Sequence, residues 1–176
     1  MYEEVKIEKV TGTCSYCEGY AKSHSTTPAK IAIMSCEGAC ARGEVSRRVA
    51  NMIAHKYSPD NTVRICLGGA FTKDTGQRDL VRRASKVVAL EGCFINCSSR
   101  MMKGVIPELD ALVIDVSEIY GKDIPFGIDE VSDDEFNQLA EMAAKVIVEE
   151  YVNGDATSAV PQGSCCSSDE SACCQG

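Results

Sequence analysis

Four cysteines fall where separate pieces of the chain end or turn: Cys36 after the apolar run Ile31-Ala32-Ile33-Met34, Cys66 after Val63-Arg64-Ile65, and Cys93 with Cys97 after Val87-Val88-Ala89-Leu90. A strand that runs into a cysteine, three times over, delivers thiols to one edge of a parallel sheet, where open α/β sheets place their ligands. Thiolates bind soft metals and exchange with disulfides. A closed zinc site takes four ligands in a tetrahedron, with sulfur about 2.3 Å from the metal. Neighbouring strands lie about 4.8 Å apart, so short loops carrying Gly38, Gly68, Gly69 and Gly92 can bring such donors together. The competing account is that cysteine is a small, readily buried residue that often finishes a strand inside a core. That suffices for any one of these positions and is less favoured for all four together.

Other thiols surround this set. Cys14-Ser15-Tyr16-Cys17 has the spacing of half a zinc ribbon or of a dithiol switch. Flanked by Thr11-Gly12 and Glu18-Gly19, it lacks the strand-then-helix setting of a redox pair, so metal capture, with His24 as a further donor, is the favoured reading. Cys40, near a helix start and Arg42, could replace one of the four ligands or be a thiol tucked under its loop. Arg42, Arg100 and Lys103 could balance a multi-thiolate charge or be plain surface cations. The pairs Cys165-Cys166 and Cys173-Cys174 lie in too polar a segment to build a core and suit capture or handover of Zn, Cu(I) or another thiophilic metal.

Eleven cysteines in 176 residues fall below the roughly 8–10% that marks a disulfide scaffold, and favour metal or redox roles in a reducing compartment. The start Met1-Tyr2-Glu3-Glu4-Val5-Lys6 has neither the basic opening nor the apolar stretch of a secretory signal. The expected location is cytoplasmic, without a membrane. A net charge of -8, from 26 acidic and 18 basic residues, offers no electrostatic reason to bind nucleic acid. Neither GxGxxG nor GxxxxGK[ST] occurs, and with His24 and His55 the only histidines, a Cys-His nucleophile has little support. Glu91, beside Cys93, could instead act as general base for water on an open zinc.

The elements that would position these groups alternate. Lys30 to Ser35, Thr62 to Cys66, Lys86 to Leu90 and Ala111 to Val116 have the length and composition of strands. Val45, Val49, Met52 and Ile53 mark one helix ending near Lys56, and Leu80, Val81 and Ala84 another over roughly 76 to 84. Gly68-Gly69 breaks the second strand, and a short helix spans Ser98 to Lys103. Ser132 and Glu135 form a capping box before the stripe Phe136, Leu139, Ala140, Ala143, Val146 and Ile147, which ends by Asn153-Gly154. Alternation with crossovers predicts a three-layer α/β sandwich with a mostly parallel, Rossmann-like sheet of about four strands. It is flanked by an N-terminal arm, residues 1–29, and a Cys-rich tail, 154–176, expected to be disordered.

The order of Cys36, the Gly43 and Ser46 loop into a helix, Cys66-Leu67-Gly68-Gly69, and Glu91-Gly92-Cys93 with Cys97 four further on resembles the DGC-domain family over residues 30 to about 150. That family is named for an Asp-Gly-Cys motif, and this chain carries Glu91 where the aspartate stands. The resemblance implies an α/β fold and zinc binding, with Cys36, Cys66, Cys93 and Cys97 as its characteristic cysteines, but no established reaction. The expected role is metal binding, trafficking or sensing with zinc, an iron-sulfur cluster or another thiophilic metal being the alternative. The rival function is thiol-disulfide oxidoreduction, or zinc-dependent hydrolysis with Glu91 as base.

Overall fold

A computed structural model describes residues 4–8 and 10–154 of the chain. Its centre is a four-stranded, all-parallel sheet of β1 (Ile31–Ser35), β2 (Thr62–Arg64), β3 (Val87–Glu91) and β4 (Leu112–Asp115), in the order β2-β1-β3-β4. Ile33 pairs with Arg64 on one side and Val88 on the other, and Ala89 pairs with Val113. The central strand β3 is buried along its whole length, which is why its sequence is an unbroken apolar run rather than an alternating one.

Successive strand residues feed two separate cores. Ile33, Val88, Leu90 and Ile114 join the apolar faces of α2 (Ala41–Met52), α6 (Val116–Tyr120) and α7 (Asp133–Ile147). Ala32, Met34, Val87 and Ala89 pack with residues of α1 (Ser15–His24), α3 (Leu67–Thr72), α4 (Gly76–Arg83) and α5 (Cys97–Lys103). Helices α2 and α7 continue as π turns over Ile53–Tyr57 and Val148–Val152. The result is the expected α/β sandwich built on a parallel sheet. Among the described residues, no helix is long and apolar enough to cross a membrane.

Three local differences from expectation have identifiable causes. The Gly68-Gly69 pair lies inside α3 instead of in a loop. Glycine is a poor helix former, but the Arg78 guanidinium donates to the last carbonyls of this turn, Ala70 O at 2.7 Å and Phe71 O at 2.9 Å. Beyond β4, Asp115 accepts from Ser117 N at 2.9 Å and starts the short helix α6. The polar N-terminal segment contains α1, whose Ala21 is buried against α4. Gly76 permits that approach, because a Cβ there would sit 2.8 Å from Ala21 Cβ.

At the start of α7, Ser132 Oγ accepts from Glu135 N at 3.2 Å. The Glu135 carboxylate accepts from Lys122. The tail cysteines, and the disorder expected of the tail from residue 155 on, fall outside the described residues.

Candidate thiol site

The sheet delivers Cys36, Cys66 and Cys93 to one edge. Cys36 follows β1 directly, and its N–H donates to Leu90 O at 2.8 Å, extending the ladder by one residue. Cys66 stands at the N-cap of α3, past the end of β2, and is exposed. Cys93 lies two residues beyond β3, and Cys97 opens α5, both partly exposed. These are the C-terminal ends of three adjacent parallel strands.

Within that edge the thiols divide. The buried Cys36 thiol has its pKa pushed up by burial, opposed by the Gly38 amide and reinforced by the nearby Cys97 and Glu91. Cys66 instead faces the N-terminal helix, in reach of Cys17. Among the described residues no group of three or more His, Cys, Asp or Glu side chains is placed to hold a metal ion. The four donors thus share an edge without being gathered into one ligand set.

Glu91 is fully buried and turned toward the start of α5. Its carboxylate accepts from Ser98 N at 3.2 Å, Ser98 Oγ at 2.7 Å and Ser99 N at 2.8 Å. It therefore satisfies the free amides of the first turn of the helix that carries Cys97. Asn96, at the N-cap, adopts the left-handed conformation with φ 53° and makes no side-chain cap, so the capping task passes to the strand-end acid. Gly92 has a separate reason. A Cβ there would lie 2.8 Å from Arg42 C and O and 3.0 Å from Gly43 N, backbone atoms at the start of α2. In Glu91-Gly92-Cys93 the acid orients one helix, the glycine admits another, and the cysteine stands partly exposed just past the strand end.

The pair Cys14 and Cys17 is better placed than its flanking sequence suggests. Cys14 is the N-cap of α1, fully in solvent contact, and Cys17 lies one turn inside the helix. The Cys14 sulfur makes no formed cap hydrogen bond, yet the amide and thiol of Cys17 and the amide of Tyr16 are near enough to draw its pKa below the ordinary value. The Cys17 thiol is pushed up to about 11, first by burial and then by hydrogen bonding with Cys14 and by the charge and hydrogen bonding of Cys66. His24 does not join them. It lies at the far end of α1, stacked on Tyr20 at 4.0 Å with Nδ1 2.9 Å from Tyr20 O.

Gln77 fixes this arrangement. Its side chain, only 1% exposed, accepts from Cys66 N at 3.0 Å and donates to Cys17 O at 3.2 Å. Sequence reasoning passed it over, although a glutamine three and four residues before Leu80 and Val81 on one helix face is the signal of a polar group held inside. Arg64 was also missed. Mostly buried, it donates to Ser35 Oγ at 2.7 Å and Ile65 O at 2.6 Å, pairs with Glu37, and lies within electrostatic reach of Cys66.

The cations named from sequence serve other partners. Arg42 pairs with Asp123 at 2.9 Å, and Arg100 donates to Ile95 O at 3.3 Å. Lys103 is exposed. Cys40 is the partly buried N-cap of α2 and contributes to the field at Tyr120, away from the Cys14, Cys17 and Cys66 group.

No curated protein and no solved structure matches the chain. The family model of the DGC domain matches residues 32–143, from the first strand through most of the last helix and across all three strand-end cysteines. With well over half of its length covered by that match, the chain belongs to the DGC-domain family.

Proposed function

We propose that this protein binds a thiophilic metal ion, zinc foremost, through Cys36, Cys66, Cys93 and Cys97, and serves in metal binding, trafficking or sensing. The observation that carries this reading is the arrival of these cysteines at the C-terminal ends of β1, β2 and β3, three adjacent parallel strands. Thiolate donors in that number suit zinc or another soft ion. The residues fit in chemistry and in position along the edge, and Cys93 and Cys97 sit on a connection short enough to move together. Bringing the Cys66 sulfur to the others requires its separation from Cys17.

Hydrolysis with Glu91 as base has less support. A general base must reach water or substrate, whereas this carboxylate is buried and engaged by three donors. The test is metal content after anaerobic purification and dialysis, with an absorption spectrum. Colourless protein holding about one zinc per chain is expected, reduced in Cys93→Ser and Cys36→Ser more than in Cys14→Ser. A brown protein would point to an iron-sulfur cluster. Equal metal content in all variants would remove the site.

A further inference from the structure

We propose that Cys14 and Cys17 form a thiol-disulfide exchange centre at the head of α1, with Cys66 as a third thiol held nearby through Gln77. Three placements carry this. The first cysteine of the pair is exposed at the N-cap of a ten-residue helix, where an attacking sulfur is open to solvent and faces the helix amides. The second lies one turn further in, partly buried, and lines the same groove as Cys66. The third is the Gln77 clamp, which ties the Cys17 carbonyl, 60 residues before Gln77, to the Cys66 amide and holds the helix on the domain.

The surroundings also suit an incoming disulfide. A groove of about 630 Å³ runs along Cys17 and Cys66, lined by Tyr16, Tyr20, Arg47 and Arg64 among others. Tyr20 Oη accepts from Arg64 N at 3.1 Å, and the Glu18 carboxylate accepts from Gly76 N at 3.3 Å. Helix α1 is thus anchored to β2 and α4 on the side away from solvent, while Cys14 stays open.

The exchange balances as follows. The Cys14 thiolate attacks one sulfur of the substrate disulfide, whose S–S bond breaks, and the second substrate sulfur leaves with the electron pair and takes a proton. Cys17 then loses its proton and attacks Cys14 Sγ. The mixed disulfide breaks, and the remaining substrate sulfur leaves as a thiol. One substrate disulfide has been reduced to two thiols, and the protein dithiol oxidised to a Cys14–Cys17 disulfide, which an external dithiol resets by the same chemistry.

This inference does not require the metal reading, since Cys14 and Cys17 lie outside that ligand set and only Cys66 is common to both. The experiment uses the full chain, reduced and anaerobic, with glutathione disulfide as probe, followed by alkylation and peptide mapping of all cysteines. A Cys14–Cys17 disulfide should form before any other in the wild type. Cys17→Ser should accumulate about one Cys14–glutathione mixed disulfide per chain, and Cys14→Ser should accumulate none at this helix. With insulin as substrate and dithiothreitol as reductant, both variants should lose activity by about ten-fold or more.

Oxidation that begins elsewhere, or insulin reduction unchanged in both variants, would overturn the proposal. Trapping by Cys66→Ser in place of Cys17→Ser would overturn the assignment of Cys17 as the thiol that completes the exchange. Zinc measured on the same wild-type samples separates the two readings: exchange without metal defeats the metal site alone, and metal without exchange defeats this centre alone.

Discussion

A carboxylate at the end of β3 can hold a metal, move a proton or cap a helix, and the hydrogen bonds of Glu91 decide among these. Two amides and one hydroxyl of the first turn of α5 converge on it. Removing it strands buried donors, each costing about 1–3 kcal/mol when left unpaired. Glu91→Ala should therefore lower the unfolding free energy by about 3 kcal/mol or more, measured by denaturant titration. Glu91→Asp keeps the acceptor and should lose less. Because α5 carries Cys97, the alanine variant should also alkylate faster at that thiol. An Ala variant as stable as wild type would show that Ser98 and Ser99 find other partners. What this position needs is an acceptor within reach of the helix start.

Helices in this molecule meet where side chains are absent, and the two kinds of glycine can be told apart by what a Cβ would touch. At Gly92 it would strike Arg42 backbone at 2.8 Å, while at Gly68, inside α3, it meets nothing within 4 Å. Gly92→Ala should cost about 1–3 kcal/mol by forcing α2 away from the β3 end. Gly68→Ala should stabilise by about 0.5–1 kcal/mol, since alanine loses less freedom in a helix. Melting curves of the two variants shifting in the same direction would contradict this assignment.

The main elements were legible because their signals are periodic. Buried parallel strands read as apolar runs, and α7 declared itself by its stripe and its Ser132 cap. The strand-end cysteines followed from the same runs. What stayed hidden was contact at long sequence separation: α1 looks like a polar arm until Ala21 meets Gly76, α3 looks like a break until Arg78 reaches its carbonyls, and Cys66 turns toward Cys17 through Gln77. Of these, Gln77 alone leaves a local trace, its place on the buried face with Leu80 and Val81, and nothing local names the partners it reaches.

On the scale of the whole molecule, charge joins the two longest helices, and two groups of opposite chemistry bound the pH range in which the fold is most stable. Arg48 of α2 pairs with Asp133 at 2.6 Å and lies 4.9 Å over the Phe136 ring. Tyr57 Oη donates to Glu141 at 2.6 Å, and Lys56 and Lys145 stand beside the same carboxylate. The Tyr57 hydrogen bond first, then those of the two lysines, hold the Glu141 carboxyl down to about 2 from its ordinary 4.5. A depressed folded-state value means stability that is present above pH 4.5 and lost as pH falls through 2. The lowered Glu44, held by Arg47 and Arg48, acts in the same direction.

Tyr120 acts at the other limit. Its hydroxyl is buried with no hydrogen-bond partner among the described residues, and burial pushes its pKa up to about 12 from 10. The neutral form is the one the fold favours, so stability present below pH 10 is lost as pH rises through 12. Melting temperature should accordingly stay level in the middle range and fall at both ends. Glu141→Gln should flatten the acid arm, and Tyr120→Phe the alkaline one. The phenylalanine variant should match or exceed wild-type stability at pH 7, because an unpaired buried hydroxyl costs about 1–3 kcal/mol that its removal returns. If Tyr120→Phe instead destabilises the protein at pH 7 by more than about 1 kcal/mol, the hydroxyl has a partner in solution, and the space between α6 and the start of α2 holds a group that binds it.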